Sequence, residues 1–251
     1  MTEQHSDVID ELNERIQEVE AYNFITRDSD LQREACDKID ALLVHLAEFK
    51  RASIAANDEN MANTFLGFEC VARYLKASIT MWLLLKAGDP DEAWHKLIDA
   101  QMELADAARA HPGFPHAVEI AENMLAIEKL VFPPQKFTSW GIVFHSRQCS
   151  ICDGEYGEGD CNHLVGKPYM GEICHTRVLE FERADHLAFV THPADKHSRV
   201  VGFSVPGGRK NRMTFKVKPA PDEDPGTVAI GEASGKPYLI AQHISKPFHD
   251  V

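Results

Sequence analysis

The feature that most restricts the fold of this chain is a crowd of metal-type ligands near its middle. Four of its six cysteines, Cys149, Cys152, Cys161 and Cys174, fall within 26 residues. Cys149-Ser150-Ile151-Cys152 places two thiols two residues apart, a spacing at which both can bind one ion while the backbone turns beneath it. Gly154 follows, where that tight turn is expected to need an unusual backbone angle. Cys161-Asn162-His163 supplies a second pair, and the intervening run from Asp153 to Asp160, with three glycines and four acids, is flexible enough to bring the pairs together. A catalytic zinc ion keeps one position open to water, whereas three thiolates and an imidazole fill the tetrahedron. The spacing therefore predicts one structural Zn2+ held by Cys149, Cys152, Cys161 and His163. Cys174, His175 and His145 remain alternatives for the fourth position. An ion of this kind contributes on the order of 10 kcal/mol to folding, so its removal is expected to unfold the surrounding module.

Cysteine usage elsewhere fits a reducing setting. Cys36 and Cys70 lie among apolar neighbours in helical stretches, where a thiol behaves as a small hydrophobe. The opening Met1-Thr2-Glu3-Gln4-His5 lacks the basic start and apolar core of a secretion signal, and no window reaches 18 uncharged apolar residues. A cytoplasmic protein is expected, with no membrane partner. Its 26 basic residues against 39 acidic give a formal charge of −13. All of that excess lies early: residues 1–133 hold 12 basic and 25 acidic residues, while residues 134–251 hold 14 of each. An acidic first half repels nucleic acid.

Apolar residues recur at helical spacing through that half. Val8, Ile9, Leu12, Ile16 and Val19 mark a first helix. A second starts near Asp30, and a third runs from about Glu59 to Ala87 with large side chains around much of its circumference. Gly88 supplies a left-handed stop, and Asp89-Pro90-Asp91-Glu92 reads as an N-cap, a proline at the first helical position and an acidic first turn. A fourth helix follows, then the breaker His111-Pro112-Gly113-Phe114-Pro115, then a fifth from Ala117 to Leu130.

After Pro134 the texture becomes β-like. Short runs at 139–144, 176–181, 187–191, 213–217, 227–230 and 238–241 are separated by turns, with an acidic proline-rich loop at 219–226. The expectation is an α+β chain: an acidic bundle of about five helices over residues 1–134, then a small zinc-stapled, mostly antiparallel β module over residues 135–251.

The order Cys149-x-x-Cys152, Cys161-x-His163, Gly166, Tyr169, Gly171, Cys174 and then Leu187-Ala188-Phe189-Val190-Thr191-His192-Pro193-Ala194 resembles the cysteine-rich segment of tailed-phage prohead-protease-related and uncharacterised bacterial or prophage proteins. It covers residues 149–195 only. That family's serine and histidine have no match here, so what the resemblance implies is a zinc-binding module of phage or defence-system flavour, without protease activity. Arg109 and His116 have the loose spacing of HEPN-type ribonucleases, although Pro112, Gly113 and Pro115 interrupt it. No residue set specifies a reaction, and none is assigned as catalytic. The expected role is a non-catalytic interaction or scaffold protein with a protein partner, homo-oligomers being left open. The alternative is a nucleic-acid-binding or HEPN-like ribonuclease-associated protein, contacting nucleic acid through the basic hairpin residues Arg209, Lys210 and Arg212.

Overall fold

A computed structural model describes residues 3–157, 161–219, 227–230 and 239–242. Five helices come first, α1 (Glu3–Glu20), α2 (Ser29–Ala55), α3 (Glu59–Ala87), α4 (Pro90–Ala110) and α5 (His116–Val131), and an antiparallel sheet follows. The architecture is α+β, as the texture of the sequence requires. Helix starts are set by local chemistry. Asp28, Asp58 and Asp89 each accept a first-turn amide, which satisfies donors that a helix cannot pair internally. Gly88 ends α3 at φ 79°, a left-handed cap, and its amide and that of Asp89 close on Leu85 and Leu84.

Helix α3 is the axis of the bundle. Eighteen of its 29 residues are buried, among them Phe65, Phe68, Leu75, Ile79, Met81 and Trp82, because α2 packs on one side and α4 on the other. Helix α2 offers the narrower stripe Ala35, Ile39, Leu42 and Leu46, and α4 offers Ala93, Trp94, Leu97, Ile98 and Leu104. A charged cluster is buried beside these. Glu69, 2% exposed, accepts hydrogen bonds from Lys50 Nζ at 2.6 Å and Arg73 at 3.1 Å, and Arg73 also faces Glu103 at 3.9 Å. Two cations around one buried carboxylate compensate a desolvation that an isolated charge could not survive.

The strands are β1 (Phe137–Phe144), β2 (Arg147–Cys149), β3 (Pro168–Tyr169), β4 (Glu172–Ile173), β5 (Thr176–Val178), β6 (Phe181–Val190), β7 (Arg199–Val205), β8 (Gly208–Asn211), β9 (Val217–Lys218), β10 (Thr227–Ile230) and β11 (Leu239–Gln242). The main sheet runs β10-β11-β7-β1-β6, with β8 on β7 and β9 on β8, while β2-β5 and β3-β4 form separate ribbons. Two expectations need correction, and one strand was missed. The strand expected at 176–181 is two elements, broken where Leu179 N–H donates to Ser146 and Glu180 accepts from His145 N–H. The strand expected at 213–217 is mostly a turn: Asn211 Oδ1 accepts the amides of Met213 and Thr214, both at 2.7 Å, and Phe215 adopts φ 57°. Strand β7, unforeseen, is the centre of the sheet and buries Val200 completely. Residues 220–226 of the acidic loop lie outside the described residues.

By compactness the chain forms two units, residues 1–128 with 144–180, and residues 129–143 with 181–251. Texture changes near residue 134, but the ligand-bearing segment 144–180 groups with the helices.

Candidate metal centre

Strand β2 delivers Cys149 at its end and is held by antiparallel pairing with β5, Cys149 opposite Thr176. The chain then turns back under the sulfur. Asp153 N–H donates to the Cys149 carbonyl at 3.0 Å, and Cys149 N–H donates to that of Gly154 at 2.8 Å. The turn needs one left-handed residue, and it is Asp153, φ 55°, rather than Gly154 as the sequence suggested. An Asp tolerates this conformation better than most residues. Gly154 serves differently, directing its amide at the Cys152 sulfur, while the amides of Ile151 (3.4 Å) and Cys152 point at Cys149 Sγ. Backbone N–H groups aimed at two sulfurs are the electrostatics that thiolates require.

The second arm is built by the β3–β4 hairpin. Met170 and Gly171, at φ 45° and 83°, form its two-residue turn, in which both positions must be left-handed. Its tip is fastened to the start of α3: Gly171 N–H donates to Asn63 Oδ1 at 2.8 Å and Met170 N–H to Glu59 Oε1 at 3.3 Å. A Cβ at Gly171 would stand 2.9 Å from the Lys50 side chain and 3.3 Å from the Ala62 carbonyl, so glycine is required twice over. Below the hairpin, Gly166 N–H donates to Cys174 O and Cys174 N–H to Lys167 O, both at 2.8 Å. The Tyr169 hydroxyl accepts from Leu164 N–H at 3.0 Å, and the Tyr169 ring meets the His163 ring edge to face at 4.7 Å. His163 is thereby oriented.

The two arms converge. One donor atom each from Cys149, Cys152, Cys161 and His163 lies within 4.8 Å of the other three. Cys149 is fully buried, Cys152 is exposed, and Cys161 and His163 are half-buried. A tetrahedral ion at roughly 2.3 Å from sulfur and 2.0–2.1 Å from nitrogen fits inside such a group. His145 and His175 are not among these donors. Cys174, an alternative for the fourth position in the sequence, is not among these donors either, although its sulfur lies 3.8 Å from that of Cys149. Burial raises the Cys149 thiol, but the amides of Cys152 and Ile151 and the thiols of Cys152 and Cys161 outweigh it and bring it down to about 6. Burial and the Cys149 charge push Cys174 up to about 11. The downward shift at Cys149 favours the thiolate, the form that metal capture needs.

The other candidates are dispersed. Arg109 pairs with Asp106 at 2.9 Å, while His116 opens α5 beside Glu119 at 3.7 Å with its side chain 84% exposed. Arg209, Lys210 and Arg212 are half-buried along and just after β8: Lys210 lies over the Phe215 ring at 5.6 Å and Arg212 donates to the Pro134 carbonyl at 2.9 Å. Among the described residues, no helix is long and apolar enough to cross a membrane. Compared with known proteins, the chain matches no family model, no curated protein and no solved structure, so the phage-type resemblance of residues 149–195 stands on its motif alone.

Proposed function

We propose that this chain is a non-catalytic zinc protein in which one structural ion orders residues 144–180 against the helices of the same unit, presenting a surface to a protein partner. The observation that carries this reading is the convergence of Cys149, Cys152, Cys161 and His163 within 4.8 Å. All four donors are of the thiolate and imidazole type that zinc prefers, and together they fill its tetrahedron. The short ribbons β2-β5 and β3-β4, two or three residues per strand, bury too little surface to hold themselves. A cross-link through the ion supplies what they lack. Support for a protein partner comes from α5, which buries only Ala117 and Met124 while Val118 and Leu125 stand 57% and 41% exposed. Hydrogen exchange before and after chelation tests the structural role. Protection at 147–178 is expected to vanish while that of α2 and α3 persists; unchanged protection at 147–178 contradicts it.

A further inference from the structure

Among the described strands, β6 closes one end of the order β10-β11-β7-β1-β6, and residues 181–186 of it are all exposed. Strand β1 meets β7 antiparallel at Phe137, opposite Arg199, the first residue of β7, so the rest of β1 runs past the start of β7 with β6 as its partner. Two strands alone make a marginal ribbon, and a ten-residue edge without proline or lysine offers its backbone groups to another strand. We propose that this edge binds a second copy of the chain, β6 pairing antiparallel with β6 about a two-fold axis at Ala184, an interaction separate from the metal centre. Two ribbons then become one four-stranded sheet.

The order of side chains selects the axis. Side chains alternate between faces along a strand, and a two-fold axis perpendicular to the sheet keeps each on its own face, so a residue meets only residues of the same parity. An axis at Glu182, Arg183, Asp185 or His186 sets that titratable side chain against itself. At Ala184 the facing pairs are Arg183 with Asp185, Glu182 with His186 and Phe181 with Leu187, each formed twice, with the small Ala184 on the axis. Directly opposed residues of opposite charge, or apolar on both sides, stabilise a strand pair.

Within one copy, Arg183 pairs with Glu182 and His186 Nδ1 with Asp185 at 3.2 Å, at the surface. Exposed pairs of this kind hold weakly, so exchanging them for partners across the axis costs little. Phe181, 60% exposed, is covered by Leu187 of the second copy.

Sedimentation of the full-length protein tests this with Arg183→Asp and Asp185→Arg. The wild type is expected to dimerise, and each single variant to associate about tenfold or more weakly, because both symmetric pairs become like-charged. Mixed one to one, the two variants should pair with each other, two acids on one chain facing two arginines on the other, and recover the wild-type affinity. No other axis along β6 brings positions 183 and 185 together. A wild type still monomeric at about 0.1 mM overturns the proposal, as does a dimer that neither variant weakens or a mixture that does not recover. Hydrogen exchange of the wild type at low and high concentration decides even if a variant does not fold: protection should rise with dimerisation at 181–187, and a dimer without that rise overturns the proposal.

Discussion

Burial lifts the carboxyl of Glu103 to about 7, the Arg73 charge opposing it only in part. A group whose folded pKa is raised above its unfolded value of about 4.5 binds the extra proton in the native state between those two values. Stability therefore falls as pH rises through 4.5 to 7 and levels off above. The full shift corresponds to on the order of 3 kcal/mol, less once the partial exposure of the side chain, 27%, is allowed for. Glu103→Gln should flatten this window. Urea midpoints for wild type and variant, compared between pH 5 and pH 8, check it, and an unchanged difference between the two proteins contradicts the assignment. At the same scale, the residues most legible in the sequence were Cys149, Cys152, Cys161 and His163, because their relation is written in spacing. Cys174 stood in the same crowd as an alternative ligand, but that its sulfur lies beside Cys149 follows from the fold, where β2 pairs with β5, and not from spacing. Asp153 was missed because Gly154, next to it, is the usual owner of a left-handed angle.

Among the elements, helices were readable from end to end where caps and periodicity agreed. Asp58, Gly88 and Asp89 fix both ends of α3 and the start of α4 through hydrogen bonds confined to one turn, and Pro90 stands at the first helical position of α4. Strands depend on partners far away in sequence, and there the reading faltered. Strand β7 carries Gly202, a weak strand former, yet a Cβ there would meet the Lys210 carbonyl at 2.9 Å, so glycine is what lets β8 approach. The run at 213–217 has strand-like composition, but one Asn211 carbonyl turns it. Helix α5 offers the test of an interaction surface. Val118→Asp with Leu125→Asp changes two exposed side chains and should leave the thermal midpoint within a few degrees of wild type. Crosslinking in a lysate should lose the captured protein with this variant, and identical capture by both would count against α5 as the contact.

For the molecule as a whole, the metal-bearing segment belongs to the compact unit that contains the helices, tied to α3 through Asn63 and Glu59. Sequence texture divides the chain where helices stop and strands start, whereas compactness follows packing, and a segment rich in turns packs where its few hydrogen bonds lead. The proposed function depends on the ion. Metal analysis of full-length protein, purified under reducing conditions without added metal, measures it directly. One zinc per chain, released by a strong chelator, is the expected result. Protein with all six thiols reduced and no bound metal, still protected at 147–178, would contradict the account.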